Sequence, residues 1–148
     1  VSFEPEDFRR LAASMLQKQC GPAECRTAVG RCYYALFLHA RRAFDPLFHF
    51  SPAAEAHKEI WTALNNCRAA DAREIAAKLD DLRRSRNQAD YDWNDPEVGK
   101  QSFARLKEID SRKALVKLKG LLEPGQSDVF FRDLKSGAAA SGKPRLKA

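Results

Sequence analysis

An arginine stands where an aliphatic residue is expected. Ile75, Leu79 and Leu82 recur at steps of four and three, and the next two steps of the same stripe land on Arg86 and Ala89. A guanidinium on the inner face of a helix is costly to bury unless it is paired, and Asp90 lies one turn further on, where a charge-assisted pair forms. Asn87, Tyr91 and Asp92 crowd the same helix end. Two readings follow from this spacing. Either Arg86 and Asp90 are an ion pair that locks the end of a helix, or the cluster is a site.

Other reactive side chains give weaker patterns. Cys20, Cys25, Cys32 and Cys67 show no Cys-x-x-Cys spacing, and no histidine stands at a zinc-finger interval, so no metal and no cofactor is expected. Cys25 and Cys32 fall on an apolar helical stripe and read as small core residues in a reducing compartment. Arg31, Tyr33 and Tyr34 read either as aromatic core with hydroxyls at its rim or as the lining of a cleft. His39 and His49 fit no pattern.

The elements that must carry these residues are helices. Ala, Leu, Arg, Lys and Glu dominate, and alternating Val, Ile and Thr runs closed by Asn-Gly or Asp-Gly turns are missing. At 148 residues with 44% hydrophobic content the chain can build one sizeable core. The spacing predicts an all-α, up-and-down bundle of about five helices. The first is announced by Pro5, Glu6 and Asp7 and stopped by Gly21; the second runs from Pro22 to near Phe44, where Asp45 and Pro46 break it. An apolar loop over 47–50 leads to a third helix with Ser51 and Pro52 at its start. A capping box of Asp71 and Glu74 opens a fourth that runs to about Tyr91. Asn94, Asp95 and Pro96 restart the chain as a fifth, which Pro124 and Gly125 end. A domain over 1–123 is therefore expected, followed by an extension over 124–148: a short apolar patch, Val129 to Leu134, and a disordered basic tail from Ser136.

Charge points weakly to an acidic partner. Of the net +6, +4 comes from Lys135, Lys143, Arg145 and Lys147, which follow the final acid, Asp133. The remaining body is close to neutral. No apolar run approaches a membrane span and no signal-peptide pattern precedes the first helix, so a cytoplasmic protein without a membrane partner is expected.

Three blocks in order carry a family resemblance. They are GRCYYALFLHARRAF over 30–44, HKEIW over 57–61 and LDDLRRSRNQADYDW over 79–93. Together they resemble successive helices of HEPN domains, in particular the branch with an Arg-x-Tyr-Tyr-Ala helix, a His-Lys start to the next, and an arginine followed by Ala-Asp-Tyr. The match covers roughly two-thirds of the chain. The resemblance implies a helical bundle that dimerises and, in active members, a metal-independent endoribonuclease with a composite site between protomers. It implies a role in a prokaryotic toxin-antitoxin or antiphage defence system acting on RNA. The alternative is a non-catalytic adapter that forms a heteromer with a nucleotidyltransferase or another effector subunit.

Active HEPN nucleases follow the arginine with a histidine a few residues on. Here Arg86 and Asn87 lead into Gln88, Ala89, Asp90 and Tyr91, and no histidine occurs after His57. Metal-free cleavage of RNA needs a group that takes the 2′-hydroxyl proton, one that protonates the leaving oxygen, and a cation for the phosphorane. Arg86 is the cation of choice, and the acid-base work falls to His57, Asp90 or Tyr91, with Asn87 beside them. His57 ranks first, since its reference pKa is near neutral and this branch places a histidine there; it reads otherwise as a helix-start residue bonded to backbone. Nucleic-acid contacts are expected from Arg31, Arg83, Arg84, Lys143 and Arg145. The apolar loop around Phe48 and Phe50 is expected to add sticky surface for a homodimer or heteromer.

Overall fold

Proline and acidic residues set the starts of the first two helices as their positions predict. The computed structural model describes residues 2–52 and 54–148, so Ala53, in the expected first turn of the third helix, lies outside the described residues. Among the described residues there are six α-helices: α1 (Glu6–Met15), α2 (Pro22–Phe44), α3 (Ala54–Asn65), α4 (Ala70–Tyr91), α5 (Gln101–Leu121) and α6 (Ser127–Ser141). A 3-10 turn over Glu97–Gly99 precedes α5, and two short strands, β1 (Phe48–His49) and β2 (Arg145–Leu146), pair antiparallel. The fold class is all-α, with one helix more than expected.

The chain forms two compact units, one from Val1–His39 with Lys78–Lys113 and the other from Ala40–Ala77 with Ala114–Ala148. In the first, the stripe Cys25, Ala28, Val29, Cys32 and Leu36 of α2 is fully buried, as are Leu79 and Leu82 of α4. Polar groups inside it find partners. The Ser111 hydroxyl donates to the Cys32 carbonyl at 2.9 Å, and Lys107, 8% exposed, reaches Asp81 at 2.8 Å. The expected start of α5 at Pro96 is corrected. Asp95 Oδ1 accepts the Glu97 N–H at 2.9 Å and tightens that stretch into the 3-10 turn, and Lys100 is extended (φ −80°, ψ 140°), so α5 begins at Gln101.

The second unit departs most from expectation. The 124–148 segment, expected to be an apolar patch and a disordered tail, is α6 and β2. Phe130, Leu134 and Ala138 are buried, and Gly137 lies against α3. A Cβ on Gly137 would sit 3.0 Å from the Ala63 carbonyl oxygen and 3.0 Å from Asn66 Cβ, so the small residues of this stretch let α6 approach α3 closely. Gly142, at φ +76°, ends α6 in the left-handed conformation. The apolar loop is corrected too: Phe48 pairs with Leu146 and is 1% exposed, so its ring is core, not sticky surface.

The start of α4 is held by α6. Asp133 Oδ1 accepts the Arg68 N–H at 2.9 Å and Oδ2 the Ala69 N–H at 3.0 Å, which satisfies donors that a helix start leaves orphaned. Asp71 and Glu74, expected to form a capping box, instead both meet Lys117 of α5, whose pKa rises chiefly through the hydrogen bond to Glu74.

Candidate nucleic-acid interface

The last two turns of α4 present Arg86 in the first unit. It lies against α2, where a Cβ added to Gly30 would stand at ordinary contact distance, 3.8 Å, from Arg86 Cγ. The guanidinium is part-buried, 24% exposed, with Nε 3.0 Å from Asp90 Oδ2. That contact is an ion pair whose angle is too poor for a hydrogen bond, and Nε has no acceptor. Nη1 donates to Asn87 Oδ1 at 3.1 Å.

Around it the sequence assembles a cation-aromatic cluster. The Arg86 guanidinium carbon lies 5.3 Å from the centre of the Tyr34 ring and 6.0 Å from that of Tyr91. Arg31, one turn along α2, stands 5.4 Å from the Tyr34 ring and 4.6 Å from Phe8 of α1. Tyr34 thus serves two guanidinium groups, and Arg31 Nε, like Arg86 Nε, has no hydrogen-bond acceptor. Two cations on one ring repel each other, and an anion placed between them relieves that repulsion. Tyr33 turns inward, against Tyr34 edge-on at 4.9 Å and stacked on Phe37 at 5.6 Å, and burial pushes its hydroxyl pKa up.

The helix end is fixed from α2. Arg26 donates to the Ala89 carbonyl at 2.9 Å and the Asp95 carbonyl at 2.8 Å, closing the C-terminus of α4 and the connection after it. That connection holds out Trp93, 83% exposed, next to Tyr91, 73% exposed. Neither Arg26 nor Trp93 was singled out by sequence reasoning. Trp93 had a signal, a large aromatic in the polar run Asp92 to Asp95; the capping role of Arg26 had none.

The expected site residues therefore divide. Arg31, Arg86, Asn87, Asp90 and Tyr91 come together in the first unit. Arg83 is half-buried in the same helix, and exposed Arg84 pairs with Asp80 at 3.3 Å. His57 belongs to α3 in the second unit and is only 5% exposed, so its imidazole lacks the solvent-facing position that attack on an RNA 2′-hydroxyl requires. Lys143 and Arg145 are exposed, also in the second unit, Arg145 within β2 and Lys143 just before it rather than on a disordered tail. Among the described residues no group of His, Cys, Asp and Glu is placed to hold a metal ion, and no helix is long and apolar enough to cross a membrane.

Comparison with known proteins adds an uncharacterized relative. No family model and no solved structure matches the chain. It is similar to the uncharacterized protein MJ0992 of Methanocaldococcus jannaschii, 27% identical over 88% of this chain and 89% of the relative.

Proposed function

We propose that the chain is a HEPN-type component of a prokaryotic toxin-antitoxin or antiphage defence system that acts on RNA, and that it does so by binding. The observation that carries this reading is the pair of guanidinium groups, Arg31 and Arg86, sharing the Tyr34 ring. Arginine planes and exposed aromatic rings are what unpaired RNA uses: phosphates meet the cations, and splayed bases stack on rings such as Tyr91 and Trp93. Binding is favoured over cleavage because His57, the expected acid-base group, is only 5% exposed.

Fluorescence anisotropy with a single-stranded RNA tests it. Arg86→Ala and Arg31→Ala are each expected to weaken binding by about tenfold or more, through lost phosphate contacts and a shallower salt dependence. Unchanged affinity in both variants overturns the proposal. Incubation with total RNA in EDTA, with end analysis for cyclic phosphates, reads cleavage directly.

Exposed Trp93 and Tyr91 also favour the adapter reading, since such residues anchor protein interfaces. Under it, the chain forms a heteromer with a nucleotidyltransferase or other effector, and Trp93→Ala abolishes co-purification of that partner while RNA affinity is nil in the parent.

A further inference from the structure

Cys20 and Cys25 bring their sulfur atoms to 2.7 Å of each other. A disulfide closes at about 2.05 Å, so bond formation asks for a displacement well under an ångström. The placement is built from both sides. Cys25 is fixed in the first turns of α2, its N–H bonded to the Gly21 carbonyl at 3.1 Å. Cys20 sits in the α1–α2 connection, where its N–H donates to Gln101 Oε1 at 3.3 Å while Gln101 Nε2 donates to the Leu16 carbonyl at 3.1 Å and the Lys18 carbonyl at 2.9 Å. One glutamine side chain thus holds the whole connection against α5. The proposed function uses neither cysteine.

We propose that Cys20 and Cys25 are a reversible dithiol-disulfide site whose oxidant is hydrogen peroxide. The two thiols are unequal. Cys20 is part-exposed and is the one a small oxidant reaches, whereas Cys25 is buried. Burial, and then its hydrogen bond with Cys20, push the Cys25 thiol up to about 12, so it stays protonated and waits as the second partner. The Cys20 thiolate attacks one peroxide oxygen, the O–O bond breaks, and the departing hydroxide takes a proton to become water. Cys20 is then a sulfenic acid. The Cys25 sulfur displaces its hydroxyl, which leaves as a second water carrying the Cys25 proton, and the S–S bond forms. Two electrons pass from the thiols to the peroxide. Cys32 and Cys67 are buried, with the Cys67 thiol bonded to the Ala63 carbonyl at 3.3 Å, and both are pushed up to about 12 mainly by burial, so they stay out of the reaction. The site is independent of the RNA reading.

Trypsin reads the pair directly, because cleavage after Lys18 and Arg26 leaves both thiols on one peptide, 19–26. The full chain is treated with hydrogen peroxide, quenched, unfolded, alkylated with iodoacetamide and digested. Peptide 19–26 is expected to be lighter by a pair of hydrogens and unalkylated, to recover both thiols with dithiothreitol, and to oxidise at least about tenfold faster than in the urea-unfolded chain. Cys25→Ser is expected to leave a Cys20 sulfenic acid that dimedone traps. Full alkylation of 19–26 after peroxide, or an equal rate in urea, overturns the proposal, as does dimedone labelling of Cys25 in Cys20→Ser.

Discussion

Arg86 is about a quarter exposed and its partner more so, and that decides what its removal should cost. Asp90 is 41% exposed, so the pair is worth no more than an ordinary surface ion pair, and Arg86→Ala should lower unfolding free energy by about 1 kcal/mol or less. A loss of 3–5 kcal/mol, the order expected for breaking a fully buried pair, would instead make Arg86 a structural lock. Urea titration of Arg86→Ala and Arg86→Lys checks this apart from any RNA measurement. Its inward position was legible because a break in a 3.6-residue period is a local signal. Its company on the Tyr34 ring was not, since no spacing within α4 reports what α2 and α1 place opposite. Buried thiols set a second expectation. Folding raises Cys32 from 9.0 to about 12, chiefly through burial. Below pH 9 both states hold the proton and this contribution is whole; between 9 and 12 only the unfolded state ionises, so stability falls as pH rises. Urea midpoints measured from about pH 8 to about pH 11 should fall less steeply for Cys32→Ala than for the parent.

Among the helices, α6 separates what sequence patterns report from what they hide. The starts of α1 and α2 are written in prolines and first-turn acids, and their stripes are long enough to read. The Gly137 to Ala140 run looks like a linker because it lacks large apolar residues, yet smallness is what its packing needs. Gly137→Val should therefore destabilise by about 1–3 kcal/mol, since the added atoms meet α3 backbone that cannot retreat. Gly120 in α5 is the control: nothing lies within 4 Å of an added Cβ, and Gly120→Ala should be neutral or stabilising by up to about 1 kcal/mol. Thermal melts of the two variants, each replacing a helical glycine, should show a clear loss at Gly137 and none at Gly120 if the close approach is real. Asp133→Ala, which strips the acceptors from two α4 amides, should cost about 0.5–2 kcal/mol by the same measurement.

For the molecule as a whole, the two compact units are not successive stretches of chain. Each is assembled from two separate segments, and their boundaries fall inside α2, α4 and α5. A chain cut at 123 therefore does not release a finished domain. It takes Phe130 and Leu134 from the core of the second unit and leaves Phe44 without the ring that Phe130 sets edge-on at 5.8 Å. The fragment 1–123 is expected to show a lower melting temperature and more dye-accessible apolar surface than the full chain, and an unchanged melt would show α6 to be dispensable. A division of this kind could not be read from composition, which sees only where polarity changes along the chain.

The Asp133 contact also has a history within each molecule's synthesis. Its carboxylate follows the Ala69 amide by 64 residues, and at about 5–20 residues per second the ribosome takes roughly 3–13 seconds to cover that distance. Through that interval the opening amides of α4 have no acceptor from α6, and the face of α3 that Gly137 later covers is bare. Phe48 waits longer still, since its strand partner is Leu146. The nascent chain therefore passes through a stage in which the first unit's segments have all emerged while the second still shows the surface that holdase chaperones recognise. A pause placed before α6 would lengthen that stage without altering a single residue of the finished fold.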